Sequence, residues 1–168
     1  VLAWLRRKFG VLQFDADSFV EGMADAIATM EGWYITQQQA SARRLQWPTR
    51  AQVNNNPGNL RSWGSRDIVA GYASFPSPQD GWAALRAQIR NNIYGLGTNF
   101  PRRKTHPMTC AEFFAGQRDA SGEVLPGGYP GFAPHRDKNN PVGYAQFVAN
   151  RLGIPADVPL IQLLKEKT

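Results

Sequence analysis

Cysteine is almost missing from this chain: Cys110 is the only one in 168 residues. No intramolecular disulfide can form, and cysteine-based metal sites are excluded. Histidine is nearly as scarce, and His106 and His135 are too far apart to show a metal-ligand spacing, which argues against zinc. There is no Walker loop and no dinucleotide fingerprint, so no cofactor is expected. No membrane span is expected either. The opening Val1-Leu2-Ala3-Trp4-Leu5-Arg6-Arg7-Lys8-Phe9 is too short and too basic for one, and it lacks the order of a secretory signal. Internal repeats and low-complexity tails are absent.

What is present suits one globular domain. The 42% hydrophobic content over this length can bury a core without metal or disulfide staples. A formal charge of +6 implies attraction to a polyanion, which could be nucleic acid, an anionic wall polymer or a membrane surface. Charge alone does not choose among them. Because the chain starts at Val1, a piece of a larger polypeptide fits as well as a whole one, and residues 1–17 read as an extension or linker ahead of a domain over 18–168.

Ser18 with Glu21 reads as a capping box, and Phe19, Met23, Ile27 and Met30 recur behind it at helical spacing, which predicts a helix over 18–30. The Gln- and Arg-rich stretch from Trp33 to Trp47 reads as a mobile, partly helical loop. Asn54-Asn55-Asn56-Pro57-Gly58-Asn59 is a turn cluster, because Asn and Gly tolerate left-handed backbone angles and Pro fixes its own. Short strands are expected near 60–63 and 68–75, joined through Gly64-Ser65-Arg66-Asp67. Ser77-Pro78-Gln79-Asp80 starts a helix that Gly95 and Gly97 stop. Thr109 with Glu112 opens a short helix. A Gly- and Pro-rich loop covers 119–139, helices follow over 141–152 and from Pro159 to about Glu166, and Gly153 ends the first of these.

Glu31 stands out because it closes the first helix, four residues after Ile27 and beside its apolar stripe. The helix dipole and apolar neighbours both favour the protonated acid there, which is what a general acid needs. The plainer reading is a glutamate that frays with the last turn and reaches water.

The order Met30-Glu31-Gly32-Trp33, polar loop, Asn55-Asn56-Pro57-Gly58-Asn59-Leu60-Arg61, then Gly71-Tyr72-Ala73-Ser74-Phe75 and Ser77-Pro78-Gln79-Asp80-Gly81-Trp82, resembles the lysozyme-like peptidoglycan hydrolases. It is most similar to the glucosaminidase-type family and the related hydrolases carried on bacteriophage virions, over residues 18–155. The resemblance implies a mainly α (α+β) fold, a lysozyme-like helical domain with a small β-hairpin lobe. It makes Glu31 the catalytic acid and puts Asn56, Asn59 and Arg61 at substrate contacts. Phe132 stands where the family carries a tyrosine, with Tyr129 nearby as a substitute. The implied partner is peptidoglycan, cut at β-1,4 bonds between N-acetylated amino sugars. The place of action would be the periplasm or cell wall, reached from a virion or by specialised secretion.

A retaining or inverting hydrolase needs a second group across the sugar. Asp67 is the best-placed carboxylate for that role, and an ordinary Asx-turn residue is its plainer reading. Without it, the substrate's acetamido group could assist, or Glu31 could act alone as a lytic transglycosylase does. Asp80 and Glu112 read as helix caps, and Asp119 and Glu123 as surface charges. Trp33, Tyr34, Trp63, Tyr72 and Tyr129 could stack on sugars, whereas Trp82 and Phe75 read as core. Two rivals stand beside the enzyme. One is a non-catalytic wall-binding or virion structural module. The other is a nucleic-acid-binding protein, supported only by Arg102-Arg103-Lys104 with His106 and lacking any recognised nucleic-acid motif.

Overall fold

The helix starts show how directly the chain's polar residues set its elements. The computed structural model describes residues 13–134 and 139–165. Helix α1, Ala16–Met30, begins two residues earlier than expected. Its cap is Asp15, whose carboxylate accepts hydrogen bonds from the Ser18 backbone N–H and hydroxyl, both at 3.0 Å. Asp15 takes the capping role expected of Ser18 because its acceptor sits three residues before the first orphan N–H it must satisfy. The next elements are α2 Gln37–Ala42, α3 Arg50–Val53, strands β1 Ile68–Val69 and β2 Tyr72–Ala73, and α4 Pro78–Ile93. Then come α5 Arg102–Thr105, α6 Cys110–Ala115, α7 Pro141–Leu152 and a 3₁₀ turn at Leu160–Leu163. The fold is mainly helical with one small antiparallel sheet. Among the described residues, no helix is long and apolar enough to cross a membrane.

The chain divides into two compact units, one over 21–89 and the other over 1–20 with 90–168. In the 21–89 unit, the buried stripe of α1 consists of Met23, Ala24, Ala26, Ile27 and Ala28, and Leu60, Ala73, Phe75, Leu85 and Ile89 are buried too. Strand register pairs Ile68 with Ala73 and Val69 with Tyr72. The hairpin turn is therefore Ala70-Gly71, at φ +49° and +81°, the paired left-handed angles of a two-residue turn that matches strand twist. This corrects the turn expected at 64–67. Residue 60 still lines the sheet, because the Ala73 N–H donates to the Leu60 carbonyl at 2.8 Å.

Helix α4 starts as its sequence dictates, with the Ser77 hydroxyl accepting from the Asp80 N–H and donating to the Asp80 carboxylate. The turn at 54–59 lies against it at very close range. A Cβ on Gly81 would sit 1.8 Å from the Asn55 carbonyl oxygen, and one on Gly58 would meet Leu85 at 2.7 Å. At position 81, where the near atom is backbone, only glycine permits that approach.

In the other unit, Phe113, Phe114, Val148, Leu160 and Met108 are fully buried. The capping box at Thr109 and Glu112 opens α6, and Gly153 ends α7 in the left-handed conformation. The last expected helix is shorter than its sequence suggested. Leu164 leaves it in an extended conformation, because residues 163–165 pair with Phe14: the Phe14 N–H donates to Leu163 and the Lys165 N–H to Phe14, both at 2.9 Å. Phe14 is thus part of the fold, not of a linker. The long loop is built around Arg118, whose guanidinium donates to the carbonyls of Ala115, Gly122 and Pro130. His135 and Glu166 lie outside the described residues.

Candidate active site

Glu31 closes α1 through a defined C-cap. The Glu31 N–H still donates to the Ile27 carbonyl at 2.9 Å, the Gly32 N–H to Thr29 at 3.2 Å, and the Trp33 N–H to Ala28 at 2.9 Å. With Gly32 at φ +77°, this is the Schellman arrangement, and Glu31 is its cap residue. The side chain does not fray away with the last turn. It is half-buried, and its Oε2 accepts a hydrogen bond from the Asn59 side-chain amide at 2.6 Å.

The turn after Glu31 is clamped from a third segment. The Thr49 hydroxyl donates to the Gly32 carbonyl at 3.1 Å. Gln52 donates both amide hydrogens, to the Trp33 and Ile35 carbonyls at 2.9 and 3.0 Å, while its oxygen accepts from the Thr49 N–H. The Thr49-to-Gln52 capping box therefore has two functions, starting α3 and holding the glutamate's turn. The Thr-x-x-Gln spacing of Thr49 and Gln52 is the sequence signal for this clamp.

Asn59 and Asn56, expected to play similar parts, face different ways. Asn59 has φ +44°, its amide nitrogen is on Glu31, and its buried amide oxygen has no hydrogen-bond partner among the described residues. Asn56 is fully buried. Its amide donates to the carbonyls of Leu60 (2.9 Å) and Ala73 (2.8 Å) and accepts from the Leu60 N–H (2.9 Å). Both of its donors are taken by backbone, so it braces the turn against the sheet and presents nothing to a ligand. Its expected substrate contact is corrected accordingly.

Asp67 is exposed and lies just before β1, not in the hairpin turn. Its backbone carbonyl accepts from the Ser74 N–H, and its carboxylate makes no hydrogen bond among the described residues. Trp63 is half-buried. Trp33, also half-buried, meets Trp82 edge to face at 6.1 Å. Trp82 is itself half-buried, with Tyr34 and Arg86 beside it, so it is less a core residue than expected, while Phe75 is buried as expected. Tyr34 is exposed and donates to the Asp25 carboxylate at 2.7 Å. Arg61 is exposed and lies over the Tyr72 ring, 5.1 Å from its centroid, and Arg50 lies over the same ring at 4.3 Å.

Tyr129 belongs to the other unit, where it is buried against Phe100 and Phe113. Phe132 stacks on Phe113 at 5.6 Å. Tyr129 lies in that unit's core, and Phe132 is half-buried beside Phe113. The expected basic cluster is also partly internal. Arg103 is buried, donates to the carbonyls of Phe100 and Leu96 and to the Asn92 side chain, and burial lowers its pKa. One of the three cations cited for nucleic acid is therefore a brace. Among the described residues, no group of three or more His, Cys, Asp or Glu is placed to hold a metal.

Comparisons of this chain with family models, with curated proteins and with solved structures gave no match.

Proposed function

We propose that this protein cleaves the β-1,4 glycan strands of peptidoglycan, with Glu31 protonating the departing glycosidic oxygen. The observation that carries the reading is the 2.6 Å hydrogen bond from Asn59 to Glu31. It joins the two sequence motifs of the lysozyme-like resemblance across 28 residues of chain. A solvated surface glutamate needs no such partner. A general acid does, because proton transfer requires the carboxyl to point at one atom.

In this reading, the Schellman turn fixes where Glu31 leaves the helix, Thr49 and Gln52 fix the turn, and Asn59 fixes the carboxyl's direction. Arg61 contacts substrate, and Trp33 and Trp63 offer ring surface to sugars. Positive charge developing on the sugar is stabilised by Asp67 or by the substrate's own acetamido group. The enzyme acts in the periplasm or wall, delivered with a virion or by a specialised secretion route.

The test is to incubate the protein and its Glu31→Gln variant with purified peptidoglycan and identify released fragments by mass spectrometry. Fragments from the native protein alone are expected, because Gln keeps the shape of the side chain and cannot give up a proton. Reducing ends would mark a hydrolase, and anhydro ends a lytic transglycosylase. Release by both proteins would remove Glu31 from the mechanism. Release by neither, with both folded, would leave a wall-binding or structural module.

A further inference from the structure

The hairpin ends in Ile68-Val69-Ala70-Gly71, and all four residues are exposed although none carries a polar side chain. Ile68 is 52% exposed and Val69 44%, and as neighbours on one strand they point to opposite faces. The tip is therefore apolar on both sides. Its turn is apolar too. Ala70 has φ +49°, an angle that a two-residue turn usually gives to Asn, Asp or Gly. Alanine there carries strain that asparagine would relieve, so the fold by itself gives no reason for it.

Cations stand beside the tip. Val69 pairs with Tyr72 across the hairpin, which puts their side chains on one face, and the Arg50 guanidinium carbon is 4.3 Å from the Tyr72 ring centroid. Val53, 57% exposed, is one helical turn from Arg50 on α3, and the Asn54 side chain next to it donates to the Val69 carbonyl at 3.3 Å. Arg50, Val53 and Val69 thus share one surface. Exposed Arg66 comes two residues before Ile68, and exposed Trp47 three residues before Arg50, its Cα within about 11 Å. Arg43 and Arg44 are exposed further back on the same stretch, and from residue 32 to 79 Asp67 is the single acid. Among the described residues, no ion pair engages Arg43, Arg44, Arg50 or Arg66.

We infer that the tip 68–71 enters an anionic lipid surface, with Val53 and Trp47 at the headgroup level and Arg50 and Arg66 on the lipid phosphates. Apolar area combined with attraction to anionic headgroups is how interfacial proteins bind. A projection exposed on both faces suits a layer that closes around it, whereas a rigid protein partner covers one face. Aliphatic side chains give the bases of a nucleic acid no ring to stack on. A second copy of this chain would set arginines against arginines, which disfavours self-association through this surface. The inference does not rest on the glycan-cleaving reading.

The protein is mixed with vesicles containing phosphatidylglycerol and with vesicles of phosphatidylcholine alone, at about 0.1 M salt, and the bound fraction is read by co-sedimentation. Binding to the anionic vesicles should be about 10-fold tighter or more. Ala70→Asn should hold or raise stability in urea and yet weaken vesicle binding about 3- to 5-fold. Val53→Ser with Val69→Thr should weaken it about 10-fold, and Arg50→Gln with Arg66→Gln by about as much. Lys104→Gln and Val142→Ser, which remove an exposed charge and an exposed apolar group from the other unit, should change it by less than about 2-fold. No binding to anionic vesicles, or equal binding to both kinds, would overturn the inference. So would a loss with Lys104→Gln as large as that of the arginine pair. Binding that the arginine variants weaken and Ala70→Asn and the valine variants leave intact would also overturn it, and tighter binding of a duplex oligonucleotide through the same arginines would then make nucleic acid the partner. A protein that binds vesicles and releases no wall fragments keeps this surface and loses the catalytic reading, and the reverse result separates them the other way.

Discussion

Asn56 and Asn59 are the same residue type three positions apart in one turn, and they do different work. Asn56 gives its amide to backbone on both sides and is a brace. Asn59 gives its amide to Glu31 and tolerates both a left-handed backbone and a buried oxygen with no partner among the described residues. Tension of that kind is often retained where it serves a site. Asn59→Gly separates the two roles, because glycine adopts positive φ without strain and removes only the amide. Its stability, measured by urea unfolding, should stay within about 1 kcal/mol of native. Its kcat on peptidoglycan should fall about 10- to 100-fold with KM little changed, the signature of a lost orienting contact. An unchanged kcat would mean that Asn59 does not direct Glu31. The sequence marked both asparagines as turn residues and could not tell the inward one from the site-facing one.

At the scale of elements, the strongest local signals held. Ser77 starts α4 and Thr109 starts α6, while Gly153 stops α7, because each acts on backbone groups within a few residues. Gly81 is a different case, since its need to be glycine comes from Asn55, far back in the chain. Gly81→Ala would drive a Cβ into the Asn55 carbonyl, and neither backbone can yield cheaply. The variant should lose about 3 kcal/mol or more in a denaturant titration and displace the turn carrying Asn59, lowering activity even where the protein stays folded. Native-like stability would show that the turn is not held against α4.

The cap of α1 makes a pH prediction. Hydrogen bonds from the Ser18 backbone and side chain hold the Asp15 carboxyl below its ordinary pKa of 3.8. A depressed folded value means that the ionised cap stabilises the fold fully above 3.8, and that this contribution is lost as pH falls through the lower folded value. Asp15→Asn keeps a competent cap without the charge. Thermal melts between about pH 5 and pH 2 should therefore show a shallower acid loss in the variant. Parallel curves would assign the acid sensitivity to other groups.

Across the whole molecule, one thiol can report on integrity. Cys110 is fully buried in its unit, and burial pushes its pKa up to about 12. Alkylation needs the thiolate, so the native protein should resist iodoacetamide at about pH 8 and react at the rate at which that unit opens. Labelling should rise in step with urea unfolding. Rapid labelling of the native protein would mean that the α6 and α7 region opens locally.

The sequence by itself determined the helical character, both ends of α4 and α7, the start of α6, the turn at 54–59, and Glu31 as the acid that closes the first helix. These follow from rules acting through backbone geometry over three or four residues, where the capping group and the group it satisfies are both in view. Only the tertiary structure decided that Asn56 faces inward, that Tyr129 and Arg103 belong to an interior, that the hairpin turns at Ala70-Gly71, and that Asn59 meets Glu31. A side-chain amide or guanidinium points wherever another segment brings an acceptor. For Asn56 that is the Ala73 carbonyl 17 residues away, and for Asn59 a carboxylate 28 residues away. No local rule carries that information, because the partner exists at the side chain only once the chain has folded.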